Sequence, residues 1–224
     1  MDEMIILGDG SDQVNAIFCW PKLDKAPGVL MFHTWWGLNA FFKETSSRLS
    51  QEGFVVLAPD YFHGHTATSI DEAKTLRSQM DRKRTYVLAK QALETLIEQE
   101  KVFPKQVAVI GFSLGCGPAL ELARSKPDSV KAVVLFYGTG GGKFDSARAD
   151  FLGHFAEDDQ WGAHAKKVQS LQKRLLKSGR EVIFHTYPST RHWFFESDRP
   201  ESHNEEAAGV AWERTILFLK QKLR

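Results

Sequence analysis

Apolar runs of strand length alternate along the chain with longer amphipathic stretches, and the turns between them carry Gly, Pro, Asp and Asn. This alternation is typical of repeated β-α units, so it predicts a mainly parallel sheet flanked by helices. The strands are expected at residues 5–7, 14–20, 29–33, 54–58, 107–110, 130–136, 149–155 and 181–186. The helices are expected at residues 40–51, 82–100, 115–125, 163–177 and 205–223, with a further helix that begins at Ile70.

Local signals support this division of the chain. Ser69-Ile70-Asp71-Glu72 has the Ser-x-x-Glu form of a capping box, which marks the start of a helix. The polar run 8–12 between the first two strands predicts a hairpin. The glycine-rich run 138–142 follows a strand without opening a helix, so we interpret it as a flexible turn rather than a phosphate cradle. The 224 residues show no repeat, low-complexity tract or linker, and a single domain spanning 1–224 is predicted.

The charge balance limits the expected partners. Twenty-nine Lys and Arg stand against twenty-eight Asp and Glu, a formal net charge of +1, and no long block of one sign is present. We therefore expect a small-molecule partner, with no nucleic acid and no membrane surface, while the oligomeric state is not given by the sequence. A start without a basic leader, and no run of about eighteen apolar residues, predict a cytoplasmic protein.

The two cysteines, Cys19 and Cys116, are not arranged in a CxxC pair. That spacing gives no support to a disulfide scaffold or a zinc site, so we expect both thiols to be reduced and buried and no metal to be bound.

The strongest motif is Gly111-Phe112-Ser113-Leu114-Gly115, which matches Gly-x-Ser-x-Gly between an apolar strand and a helix-forming stretch. This is the pattern of a nucleophile elbow, in which small residues on either side let the serine protrude from a sharp turn. The backbone N–H of Leu114 can then face the oxygen that becomes negative during acyl transfer. Ser113 is the candidate nucleophile.

A serine nucleophile needs a base and an orienting acid, which follow it along the chain in this kind of fold. His192 fits the base, because it follows the last predicted strand and the break 187–190, where an irregular loop can return the imidazole to the elbow. The acid is expected in the acidic run 157–159 that follows strand 149–155. Asp60, which is too early in the chain for this role, is expected to stabilise its own turn.

Together these residues resemble the dienelactone hydrolase family, over a stretch from about Val29 to Leu223. The similar segments are 37–45, 53–54, 58–61, the elbow, 154–159, 187–192 and 211–215. The resemblance implies a doubly wound α/β-hydrolase sheet and selects Asp159 over Asp158 as the acid. It also implies an oxyanion hole from the backbone N–H groups of Trp35 and Leu114, and cleavage of esters or lactones without a cofactor.

Two positions depart from the pattern of that family. Many members have cysteine in the elbow with a glutamate to assist it, whereas this chain has Ser113 and, at the glutamate position, Thr34. The two changes fit together, because a serine is deprotonated by its histidine only as it attacks. Members that act on dienelactone hold its carboxylate with an arginine, and Glu196 stands at that position. We therefore expect neutral esters or lactones to be preferred to the anionic dienelactone.

The expected substrate pocket is an aromatic cleft beside the predicted active-site loops. Its candidate residues are His33, Thr34, Trp36, Phe62, Trp161, Trp193, Phe194 and Glu196. The sequence thus predicts a serine hydrolase that cleaves a small ester or lactone through an acyl-enzyme. A thioesterase or peptidase-type acyl hydrolase with the same triad, or a catalytically inert binding protein of this fold, are the alternatives.

Overall fold

The computed structural model describes residues 2–8 and 13–224. Its contacts divide the chain into two compact units, Met1–Val107 and Ala108–Arg224. The predicted hairpin joins two paired strands as expected, but residues 9–12 of its loop lie outside the described part of the chain. The single domain stays a prediction.

The described residues of the first unit form four strands and three helices. The strands are β1 (Asp2–Leu7), β2 (Val14–Cys19), β3 (Gly28–Phe32) and β4 (Val55–Pro59), and the helices are α1 (Ala40–Gln51), α2 (Ile70–Gln79) and α3 (Arg82–Glu98). The strand order is β1-β2-β4-β3. β2 is antiparallel to both of its neighbours, whereas β3 and β4 are parallel. Every residue of β3 and β4 is buried, which explains why their sequences are continuous apolar runs.

Side-chain caps fix the helix starts of this unit. Asn39 accepts a hydrogen bond from the backbone N–H of Phe42 at the start of α1. Ser69 and Glu72 form the predicted capping box at the start of α2. Asp81 caps α3. Each cap satisfies backbone donors that the first helical turn leaves without partners, and the predicted starts at residues 40, 70 and 82 are confirmed.

The second unit alternates strands and helices. Its strands are β5, which begins at the boundary (Val107–Phe112), β6 (Val130–Phe136), β7 (Asp150–Asp158) and β8 (Val182–Arg191), in the order β5-β6-β7-β8. Its helices are α4 (Cys116–Ser125), α5 (Ala165–Leu176) and α6 (Glu205–Lys222), with a short 3-10 turn at Ser113–Gly115. β6, β7 and β8 are parallel. This half therefore has the predicted β-α organisation.

Several strands run further than predicted, and β7 and β8 are the two that lead to the candidate site. β7 continues past residue 155 to Asp158, and β8 passes through the predicted break 187–190 to Arg191. β8 is the last strand in the order, and an edge strand tolerates Pro188 because a missing N–H on the outer side breaks no ladder bond. A register shift between Ala156 and Asp158 absorbs the irregularity. The predicted break is wrong because proline is a weaker signal at a sheet edge than in its centre.

None of the helices in the described ranges combines the length and the apolar character that a membrane crossing requires.

Candidate active site

The predicted elbow is a sharp turn between β5 and α4. Ser113 has a φ of 48°, in the left-handed region that non-glycine residues rarely adopt. A Cβ at Gly111 would lie 2.5 Å from the carbonyl oxygen of Gly115, so only glycine fits there. The strained backbone holds Ser113 half-buried at the start of the 3-10 turn, where its hydroxyl can meet other groups.

His192 lies against the serine. Its Nε2 is 2.8 Å from Ser113 Oγ, and the side chain is 3% exposed. His192 follows directly on β8, and a tight turn begins there, in which the N–H of Phe194 donates to the carbonyl of Arg191. The imidazole therefore reaches the elbow from the end of a strand, and not from the irregular loop that the sequence suggested.

Asp159 completes the chain of hydrogen bonds from the end of β7. Its Oδ2 is 2.6 Å from His192 Nδ1. Its Oδ1 accepts the backbone N–H groups of Trp161, Gly162 and Ala163 at 2.9, 3.0 and 3.2 Å. Burial by itself would raise the pKa of Asp159, but the bonds from His192 and the backbone outweigh it and lower that pKa below its ordinary value. Asp159 is thus held as a carboxylate.

Asp158, the neighbouring candidate, is exposed and accepts only weak contacts from Gln160 at 3.3 and 3.5 Å. The structure therefore brings Asp159, and not Asp158, to His192. With Asp159 accepting from Nδ1–H, the other ring nitrogen is left to accept the O–H of Ser113. The three side chains can pass a proton from the serine to the imidazole and hold the resulting imidazolium.

Cys116 and Gly138 pack behind the elbow. The Cys116 thiol is buried and contacts the carbonyl oxygens of Gly111 at 3.1 Å and Phe136 at 3.6 Å. Burial raises the pKa of this thiol far above its ordinary value, so it stays neutral and has the packing role that its position suggests. Cys19 is also buried and free.

Replacing Gly138 by alanine is expected to destabilise the elbow. A Cβ there would lie 2.4 Å from the Ser113 carbonyl oxygen and from the Cys116 sulfur. We expect a loss of about 1–3 kcal/mol of stability, the usual cost of overpacking, with reduced activity. Gly141→Ala is the matched control, because nothing lies within 4 Å of its added Cβ. Thermal unfolding measures the difference, and equal midpoints for the two variants would contradict it.

The glycine-rich run itself is an irregular segment, as predicted. The guanidinium of Arg174 donates to the carbonyl oxygens of Gly140 at 2.6 Å and Gly142 at 3.0 Å. Arg174 thus ties the turn to α5.

Four pocket candidates lie in the first unit, and all are buried. His33 is 0% exposed. Its Nδ1 donates to the carbonyl of Thr34 at 2.6 Å, and its ring stacks on Tyr61 at 3.8 Å. Thr34 Oγ1 accepts the backbone N–H of Trp36 at 3.2 Å. The expectation that His33 and Thr34 line a pocket is therefore wrong, because both are used inside the core of this unit, and Trp36 is 2% exposed.

Phe62 is the exception among these four, since it borders a cavity of about 520 Å³. The cavity also contacts Tyr61 and side chains of α2 and α3. Asp60 accepts the backbone N–H groups of Phe62 at 3.0 Å and Gly64 at 2.6 Å. The prediction that Asp60 stabilises its own turn is confirmed.

In the second unit, aromatic side chains surround the imidazole. Trp193 packs edge-on against His192 with ring centroids 4.8 Å apart, and Trp161 lies 5.2 Å from Trp193. Trp161 is 42% exposed and can meet a ligand, whereas Phe194 is completely buried. Trp161 and Trp193 remain pocket candidates, and Phe194 belongs to the core.

Glu196 is buried in the structure, whereas the sequence suggested that it faces the substrate. It is 0% exposed, and its Oε1 accepts the phenolic O–H of Tyr137 at 2.7 Å. Burial raises its pKa well above the ordinary value, and the bond from Tyr137 offsets this only in part. The expected repulsion of an anionic substrate by Glu196 is therefore wrong, because its completely buried carboxyl does not face a substrate. An arginine in its place would be a buried charge.

Tyr137 is a residue near the site that the sequence reasoning missed. It follows β6 at once, with a φ of 36°, and is fully buried. Its ring lies 5.0 Å from that of His192. A tyrosine after an apolar run looks like ordinary core, so the only sequence signal is its place between a strand end and Gly138. The oxyanion donors Trp35 and Leu114 stay a prediction.

Comparisons with known proteins bear on the whole chain. The model of the dienelactone hydrolase family matches residues 14–223. Protein usf of Aquifex pyrophilus is 31% identical over 232 residues, with both chains covered completely. The carboxymethylenebutenolidase of Rhodococcus opacus is 23% identical, with 96% of this chain and 88% of that protein covered.

The solved structures show the fold. A dienelactone hydrolase-like promiscuous phosphotriesterase from metagenomic libraries has a TM-score of 0.88 at 21% identity, covering 100% of this chain and 99% of that one. This likeness confirms the predicted α/β-hydrolase fold, a doubly wound and mainly parallel sheet flanked by helices. Because the family match spans residues 14–223, the chain belongs to the dienelactone hydrolase family and is an ester or lactone hydrolase.

Proposed function

We propose that the protein is a serine hydrolase that cleaves a small ester or lactone through an acyl-enzyme on Ser113. The observation that carries the proposal is the unbroken chain of hydrogen bonds from Ser113 Oγ to His192 at 2.8 Å and from His192 to Asp159 at 2.6 Å. An exposed carboxylate or a distant histidine could not form such a relay. The left-handed backbone at Ser113 adds the geometry of a nucleophile held on a sharp turn.

The reaction follows from the roles that these atoms can take. His192 Nε2 accepts the serine proton as Oγ attacks the carbonyl carbon, and Asp159 stabilises the imidazolium that forms. The imidazolium then protonates the departing alkoxide, which leaves the acyl group on Ser113. A water molecule, deprotonated by His192 in turn, releases the acid and restores the serine. The backbone N–H groups of Trp35 and Leu114 are the proposed donors to the transient oxyanion.

The substrate class is supported by the surroundings of the imidazole. Trp161 and Trp193 offer an apolar aromatic surface, and Trp161 is open to solvent. Because the relative from Rhodococcus opacus is named a carboxymethylenebutenolidase, the panel of substrates should contain a dienelactone beside a neutral short-chain ester and a thioester. With Glu196 buried, its charge gives no reason to expect either lactone or ester to be excluded.

Labelling with a fluorophosphonate, followed by peptide mapping, tests the proposal. The probe phosphonylates an activated serine, so we expect one modified peptide that contains Ser113 and no labelling of Ser113→Ala. Ser170→Ala is the matched control, because Ser170 is an exposed serine on α5. Labelling confined to another serine, or ester hydrolysis that persists while Ser113 stays unlabelled, would refute the mechanism.

A further inference from the structure

A buried hydrogen bond lies beside the candidate base. Tyr137 donates its phenolic O–H to Glu196 Oε1 at 2.7 Å, and both residues are 0% exposed. Within the described residues, the other carboxyl oxygen, Oε2, is buried without a hydrogen-bond partner. Burying polar groups costs free energy that a purely structural core avoids with apolar residues. The proposed reaction gives neither side chain a step, so their presence needs an explanation.

Glu196 ends the tight turn that begins at His192. The N–H of Glu196 donates to the carbonyl of Trp193 at 2.9 Å, and Trp193 has a left-handed φ of 69°. Tyr137, the partner of Glu196, has its ring 5.0 Å from that of His192 and 5.6 Å from that of Phe194. The Tyr137–Glu196 hydrogen bond therefore links the last residue of this turn to the Tyr137 ring, which packs against His192 at the start of the turn.

The backbone at Tyr137 is also held in place, next to the elbow that carries the nucleophile. The N–H of Tyr137 donates to the carbonyl of His154 at 2.7 Å. The next residue, Gly138, packs so closely on the elbow that an added Cβ would lie 2.4 Å from the Ser113 carbonyl oxygen. One short segment thus contacts both the turn that carries the base and the elbow that carries the nucleophile.

Burial disfavours a negative charge on either member of the pair. Burial raises the pKa of Glu196 well above its ordinary value, and burial also raises the pKa of Tyr137. A neutral pair can hold the turn in place without adding a full negative charge beside the imidazole, where it would compete with Asp159 for the imidazolium.

We propose that Tyr137 and Glu196 form a clamp that holds the His192 imidazole in position to take the proton of Ser113. Both are positioning residues, since neither is placed to touch the reacting atoms. The inference rests on the proposed serine mechanism. Loss of the clamp lets the turn tilt, and because a displacement of about 1 Å can cost about a hundredfold in rate, small movements suffice.

Four variants separate positioning from stability. Tyr137→Phe removes the donor, Glu196→Leu removes the acceptor, and Glu196→Gln keeps a neutral acceptor of the same shape. The double variant Tyr137→Phe/Glu196→Leu removes both polar groups, which restores most of the stability lost in Glu196→Leu because no buried hydroxyl is left without its partner. Tyr187→Phe is the matched control, a buried tyrosine whose hydroxyl meets His154 at 2.8 Å rather than Glu196.

Each variant is assayed for kcat and KM on a neutral ester, for the rate of fluorophosphonate labelling, and for its unfolding midpoint. We expect kcat and labelling to fall about ten- to a hundredfold in Tyr137→Phe, Glu196→Leu and the double variant, with KM within about twofold. Glu196→Gln should recover most of the rate, and Tyr187→Phe should keep it. A double variant that regains both stability and full kcat would overturn the clamp. Ser113→Ala decides the serine mechanism separately.

Discussion

Ser113→Ala and His192→Ala are each expected to lower kcat at least about a thousandfold on any ester that the enzyme turns over, because each removes part of one proton-transfer unit. The hydroxyl and the imidazole are 2.8 Å apart, so neither can act without the other. The double variant should therefore be no slower than the worse single variant. Steady-state kinetics with each purified, folded protein measures the effect.

Two controls make that result specific. Ser170→Ala and His164→Ala change exposed residues of the same unit, and the side chain of His164 makes no capping bond at the start of α5. Both should keep ordinary activity and the same unfolding midpoint. If a well-folded Ser113→Ala protein hydrolyses the ester at the normal rate, the nucleophile is wrong.

Asp159→Asn is expected to cost about 10³–10⁴-fold in kcat, while Asp158→Asn has little effect. The asparagine oxygen can still accept the three backbone N–H groups that now meet Oδ1. Its amide NH₂ then faces His192 Nδ1, which must become an acceptor. That tautomer places the ring proton on Nε2, where it donates to Ser113 and cannot remove its proton.

The neighbouring carboxylate provides the internal control. Asp158 has the same chemistry one residue earlier, but it is exposed and its carboxylate meets Gln160 rather than His192. kcat of the two variants on one ester, with circular dichroism to show that each is folded, distinguishes the acids. A severe loss in Asp158→Asn and a mild one in Asp159→Asn would move the acid by one position.

Most of the elements follow from the local pattern. Ala40–Gln51 and Val130–Phe136 have the predicted bounds, because an asparagine cap and a bounded apolar run mark them in the sequence. β8 could not be bounded in this way. In the sequence, Pro188 indicates a break. It is compatible with the strand because β8 is last in the order of the described strands, and strand order is a property of tertiary packing that the local sequence does not show.

The site was predictable where the chemistry depends on spacing along the chain. Ser113, Asp159 and His192 each follow a strand of the same unit. The motif and the order of residues identify Ser113 and His192 as candidates, whereas the choice of Asp159 over Asp158 depends on the family resemblance. The burial of Glu196 and His33 could not be predicted, because the identity of a charged or aromatic residue does not show whether its side chain faces solvent or the core. Tyr137 was missed since its partner, Glu196, lies 59 positions away.

The position of β8 has a consequence for how the enzyme loses activity. This strand ends the sheet order and, among the described strands, pairs with β7 alone. Only Tyr187 and Thr190 of its ten residues are buried, and the others are partly or fully exposed. Edge strands open by local unfolding at a lower free energy than central ones. His192 is the residue that follows this strand, so fraying of β8 would separate the imidazole from Ser113 while the rest of the unit stays folded. Inactivation on warming would then precede global melting, and hydrogen exchange would show the amides of β8 opening before those of β6.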